Sequence, residues 1–94
     1  MIGEGTRLRE WSIFAHKVAS HIVNYTVPQY GDKGSDQADD FTVEDCAQHI
    51  KRYANRVGKN SRGHAEQLRD FLKIAHYAQM AHDKYLEAYN NEKE

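Results

Sequence analysis

Three observations predict an all-α fold. Apolar residues recur at three- and four-residue spacing in three separate stretches of the 94-residue chain. A helix-start signature at Thr42-Val43-Glu44-Asp45 and a stop at Gly58 frame the second stretch. The third runs from His64 to Tyr89 without a Pro or a Gly. Together they predict one helical domain over residues 1–94, with main helices at about 6–24, 43–57 and 64–89. The last two form an antiparallel hairpin, and a long loop spans 25–41.

The first helix is expected to begin at Thr6, a residue type that caps helices, because Met1-Ile2-Gly3-Glu4-Gly5 is too Gly-rich to be helical. Leu8, Trp11, Phe14 or Ala15, Val18 and Ile22 then line one face, with Arg9, Ser12, His16, Lys17 and Ser20 opposite. Tyr25-Thr26-Val27 is β-prone, and Pro28 predicts that no helix passes it. From Gln29 to Asp36 the residues read as successive turns.

The second helix opens with a capping box in which Asp45 takes the place of the usual Glu or Gln, and acids fill its first turn. Cys46, Ile50, Tyr53 and Val57 form its apolar face, while Lys51, Arg52 and Arg56 suit its negative end. In the third helix, Leu68, Phe71, Leu72, Ala75, Ala78, His82, Tyr85, Leu86 and Tyr89 share one face. That face is expected to meet the core, and a second stripe of Ile74, Tyr77, Ala81 and Tyr85 to meet a partner subunit.

Composition narrows the function classes. The net charge is −1 with 29% charged residues, so no global field marks a nucleic-acid binder. Six acids face one Lys between Gly31 and Asp45, whereas Lys51 to Arg62 holds five bases and no acid. Mean hydropathy is −0.89 and hydrophobic residues make up 39%, lean for a free-standing core, which predicts a homo-oligomer. A single cysteine, Cys46, excludes an intrachain disulfide framework. The start of the chain lacks a basic stretch followed by an apolar run, and no stretch reaches the ~18 apolar residues of a membrane span. A soluble, cytoplasmic protein without a membrane partner is expected.

The basic run at the hairpin turn is the candidate site. Arg52 and Arg56 are one helical turn apart, and Lys59 and Arg62 lie just beyond the helix. Guanidinium forks grip phosphates bidentately. Facing them, Glu66, Asp70, Lys73 and Tyr77 fall on one side of the third helix. If the hairpin folds at Asn60, Arg52 lies opposite Asp70 and Arg56 opposite Glu66. Such a seam suits a phosphate ligand, and it is equally what a set of ion pairs fixing helix register looks like.

Other constellations say less. Cys46 and His49 are three apart, and His16/His21 and His76/His82 lie on different faces, so no metal is predicted. Asp32, Asp36, Asp39 and Asp40 invite a calcium loop, but Gln37 and Val43 occupy the template's Gly and Glu positions. The amides and phenols of Asn24–Asp32 can stack on or read a base, or simply pin the loop. P-loops and dinucleotide Gly motifs are absent.

Arg52-Tyr53-Ala54-Asn55-Arg56-Val57-Gly58-Lys59-Asn60, followed by Asp70-Phe71-Leu72-Lys73-Ile74-Ala75-His76-Tyr77, resembles the SaV-like group of small phage and prophage proteins. That group's pattern is roughly K-Y-x-x-R-x-G-K-K, a short gap, then D-L-x-K-A-x-x-Y. Tyr53, Arg56, Gly58, Lys59, Asp70, Lys73 and Tyr77 match it in order, with Arg52 in place of Lys and Ile74 in place of Ala. The resemblance covers residues 52–77. It implies a phage-type protein of unassigned role or, as in some members, a nucleotide kinase without a P-loop; Mg²⁺ would then accompany a bound nucleotide. Whether the chain is an enzyme stays open. The expected ligand-binding residues are Arg52, Arg56, Lys59, Arg62, Asp70, Lys73 and Tyr77. The alternatives are a non-enzymatic oligomeric interaction module and nucleic-acid binding through residues 51–62.

Overall fold

The computed structural model describes residues 5–30, 41–59 and 62–93, and every regular element among them is helical. The elements are α1 (Thr6–His21), a π-helical turn (Ile22–Thr26), α2 (Val27–Tyr30), α3 (Val43–Asn55) and α4 (His64–Lys93). α1, α3 and α4 are the three expected helices, and α3 and α4 pack side by side as the expected hairpin.

α1 differs from expectation at both ends. Gly5, not Thr6, is the N-cap, with extended backbone and no side-chain cap bond, and its carbonyl accepts from the Arg9 N–H at 3.0 Å. At the other end the helix does not stop before Pro28. The Val27 N–H donates five residues back, to the Ile22 carbonyl. A π turn widens the coil by one residue, so the chain continues helically past a residue that has no N–H to donate. Residues 25–30, expected to belong to the long loop, are therefore helical. The acidic stretch 31–40, with its calcium-like Asp residues, lies outside the described residues.

α3 begins as its sequence dictates. The Thr42 N–H donates to Asp45 Oδ2 and the Asp45 N–H to Thr42 Oγ1, both at 3.0 Å, so each residue caps the other. The helix ends at Asn55 with Arg56 as C-cap, two residues before Gly58. Gly58 and Gly63 have φ of +78° and +100° and bracket the turn into α4. These left-handed conformations are strained for any residue with a Cβ.

The hairpin packs on the Asp70–Tyr77 side of α4, the side expected to face Arg52 and Arg56, and not on its larger apolar stripe. Gly58 N–H donates to Gln67 Oε1 at 3.2 Å, Arg56 meets Asp70, and His49 and Tyr53 stack on Tyr77. With Ile74, Ala81 and Lys84, all at least half-buried, these define a stripe at residues 67, 70, 74, 77, 81 and 84. Ile74, Tyr77 and Ala81 belong to the stripe expected to meet a partner subunit, whose fourth member, Tyr85, stays exposed. Much of the face expected to form the core stays open instead, with Leu68 65%, Phe71 42%, Tyr85 66% and Tyr89 48% exposed, although Leu72 and Ala75 are half-buried. The two stripes are one residue apart, and ring stacking and ion pairing select the more polar one.

α1 meets α4 mainly through its end. His21 is buried beside Arg69, Lys73 and His76, and its ring stacks on Tyr25 at 5.3 Å, whose own face receives Arg69 at 5.2 Å. Farther up α1, Trp11 touches Phe14 at 5.8 Å and remains exposed. The fold is accordingly open. Its radius of gyration is 15.1 Å, against roughly 12 Å for a compact chain of this length.

Candidate functional site at the α3–α4 hairpin

Helical periodicity puts His49, Arg52, Tyr53 and Arg56 on one side of α3, and Asp70, Lys73 and Tyr77 on one side of α4. Folding the hairpin brings these two sides together around the Tyr53 ring. Arg56 lies 5.1 Å from its centroid, and Arg52 and Lys73 each lie 5.2 Å away. A phenol face attracts cations through its quadrupole, and burial strengthens the attraction. Tyr53 is buried, so its ring works at the desolvated end of that range.

Asp70 has no solvent exposure, and its Oδ1 lies 3.6 Å from Arg56 Nη1 and 4.0 Å from Lys73 Nζ. One carboxylate thus serves two of the three cations. The third, Arg52, donates from Nη2 to His49 Nδ1 at 2.7 Å, a neutral acceptor. The cluster of Arg52, Arg56, Lys73 and Asp70 therefore carries two more positive charges than negative ones.

Aromatic rings line the same junction. His49 and Tyr77 are 4.6 Å apart and nearly parallel, at 10°. Phe41 stacks on His49 at 5.0 Å, and Tyr53 on Tyr77 at 6.0 Å. Burial lowers the His49 pKa first and the Arg52 charge second, so the imidazole stays neutral and can accept from the guanidinium.

The expected pairing is displaced by one helical turn. Arg56 meets Asp70, where Arg52 was placed, and Glu66 instead holds Arg62 at 3.7 Å and Arg69. The cause is the turn: α3 ends at Asn55, and the bond from Gly58 to Gln67 sets the crossover nearer to Gly63. Of the seven expected residues, Arg52, Arg56, Asp70, Lys73 and Tyr77 come together. Lys59 and Arg62 are exposed in the connecting turn, Arg62 engaged by Glu66. Phe41, His49 and Tyr53 belong to the cluster but were not singled out as site residues. The signal for two of them was present, since His49 and Tyr53 sit one turn apart beside Arg52 and Arg56.

No group of three or more His, Cys, Asp or Glu residues able to hold a metal occurs among the described residues. Cys46 is fully buried, and burial raises its thiol pKa, which makes it a packing residue and not a nucleophile. No helix among the described residues is long and apolar enough to cross a membrane. Comparisons with protein families, with curated proteins and with solved structures find no match to the chain.

Proposed function

We propose that the protein is a cytoplasmic, phage-type binder of phosphate-bearing ligands, a nucleotide being the chemical class that suits the hairpin best. The observation that carries this reading is the convergence of Arg52, Arg56 and Lys73 on one tyrosine with a single carboxylate between them. Two surplus positive charges on a partly desolvated surface favour a polyanion, and guanidinium groups favour phosphate. The adjacent rings of Phe41, His49 and Tyr77 add a flat, aromatic neighbourhood suited to a base. The likeness of residues 52–77 to the SaV-like group supports the same reading. Mg²⁺ would arrive with the phosphates, because Asp70 is already engaged by two cations.

Calorimetric titration of the full chain with deoxynucleoside mono- and triphosphates, inorganic pyrophosphate and a short oligonucleotide, each with Mg²⁺, tests the proposal. Saturable binding of a nucleotide, weakened at least tenfold by Arg52→Ala, is the expected result. Arg52 is chosen because it is exposed and outside the Asp70 ion pairs, so its loss leaves the hairpin folded. Binding of the oligonucleotide alone would transfer the function to nucleic acid. No heat with any of them would leave the interaction-module alternative, which the exposed face of α4 favours.

A further inference from the structure

α1 is held to α4 chiefly at its C-terminal end. Of its 16 residues only His21 is buried, at 6% exposure, while Leu8, Phe14, Ala15 and Val18 are half-buried. The His21 ring lies against the Tyr25 ring at 5.3 Å, and the Arg69 guanidinium of α4 lies 5.2 Å from that same ring. His21, Tyr25 and Arg69 thus tie the end of α1 to α4. A helix of this length with so little burial is marginal once detached, because short isolated helices barely persist in water.

The buried imidazole is poorly provided for a proton. Its Nδ1 has no hydrogen-bond partner among the described residues. In an imidazolium both ring nitrogens carry protons, so Nδ1 would become a buried donor without an acceptor. The charges around it are mostly of the wrong sign as well. α4 presents Lys73, His76 and Arg69, and among the described residues Glu66 is the acid that opposes them. Glu66 is itself engaged by Arg62 and Arg69, and Asp70 is held at the other junction by Arg56 and Lys73. The π turn contributes the phenol of Tyr25, and Lys17 lies one turn earlier on α1. Burial and these cations keep the His21 pKa below its ordinary 6.5, and burial lowers that of His76.

We infer that His21 is a proton-operated latch, whose protonation releases α1 and the π turn from α4 while the α3–α4 hairpin stays closed. Because the released imidazole binds a proton more readily than the docked one, acid favours release. The gain is about tenfold per pH unit between 6.5 and the docked-state value. The hairpin is held by the Arg56–Asp70 pair, the bond from Gly58 to Gln67 and the stacking of His49 and Tyr53 on Tyr77, none of which includes a residue of α1. His49 is the hairpin's own titratable ring. Protonating it breaks the bond from Arg52 and leaves the ion pair and the Gly58 bond in place. The latch is independent of what the hairpin binds.

Hydrogen–deuterium exchange of the full chain, read by mass spectrometry and corrected for the intrinsic effect of pH, tests the latch. Between about pH 7.5 and about pH 5.5, peptides from α1 and the π turn should lose protection by about tenfold, while those from α3 keep theirs. Unchanged α1 protection, or none at either pH, would overturn the inference. Loss of α3 protection at the same pH would show global unfolding and overturn it too. Nuclear magnetic resonance of the histidine rings gives a second reading: release must follow the titration of His21, and release that follows another histidine would sink the assignment. His21→Leu, which carries no ring proton, should stay protected at both pH values, and acid-induced loss in that variant would equally defeat the proposal. Where the substitution itself frees α1, the coincidence of release with His21 titration in the unaltered chain decides.

Discussion

Asp70 has no solvent exposure and shares one carboxylate oxygen between Arg56 and Lys73. Its two partners are each about a third exposed, so the three residues respond differently to truncation. Removing Asp70 frees cations that can turn to water. Removing Arg56 takes the nearer of these two counter-ions from a buried carboxylate. Arg56→Ala is therefore expected to cost about 1–3 kcal/mol, less than the about 3–5 kcal/mol of a fully buried pair. In an Asp70→Ala background the same change should cost far less. Urea unfolding of the four proteins of this cycle checks the coupling, and equal costs in both backgrounds would contradict the ion pair.

The histidines make a second statement at this scale. Burial, followed by the charges of Lys73, His76 and Arg69, lowers the His21 pKa below its ordinary 6.5. Burial also lowers His76, and burial together with Arg52 lowers His49. Each takes up a proton more readily when unfolded than when folded. Their contribution to stability is thus complete above pH 6.5 and is lost as pH falls from there towards the folded-state values. The urea midpoint should drop between about pH 7.5 and about pH 5.5, and His21→Gln should flatten that dependence. A midpoint that rises on acidification would show that these groups do not govern the titration.

At the scale of elements, the start of α3 and the turn before α4 offer contrasting tests. Thr42→Ala removes one half of a reciprocal cap and should cost about 1 kcal/mol, a drop of roughly 4–8 °C in Tm. Gly58→Ala meets no atom within 4 Å, so its cost is conformational alone, from a φ of +78°; about 1–2 kcal/mol is expected. Thermal unfolding by circular dichroism measures both. These two features were legible in the sequence because caps and turn glycines act over a few residues. The π turn before Pro28 was not, since it depends on how the Val27 N–H finds the Ile22 carbonyl and not on any residue's local preference. That the Asp70–Tyr77 side of α4 faces α3 was legible from the charge pattern, but not that it would exclude the larger apolar stripe of α4. Its two heptad-spaced stripes differ by one residue, and apolar content points to Leu68, Phe71 and Tyr85. The rings of His49, Tyr53 and Tyr77 and the Arg56–Asp70 pair, which exist only once the hairpin closes, decide for the other. The site residues on α3 and α4 could be read from periodicity, but their register followed from turn length.

For the whole molecule the consequence is a division of labour along α4. Its polar stripe holds α3 and the cationic cluster, while Leu68, Phe71, Tyr85, Leu86 and Tyr89 of its apolar stripe stay exposed. At 30 residues α4 is more than twice the length of α3, with 13, about 45 Å against about 20 Å. α3 therefore covers only part of it, and the last turns of α4, with Tyr85, Leu86 and Tyr89 exposed, extend past the hairpin. If folding and the expected homo-oligomerisation are one event, stability depends on chain concentration. Each tenfold increase should then add about 1.4 kcal/mol per mole of dimer. Thermal unfolding over a hundredfold range of concentration measures this directly, with Tm expected to climb steadily across the range. Arg52→Ala, which lies on α3 away from the exposed apolar face of α4, should show the same slope as the native chain, whereas Phe71→Glu should lose it. A Tm independent of concentration would mean that the open, weakly buried chain is stable alone.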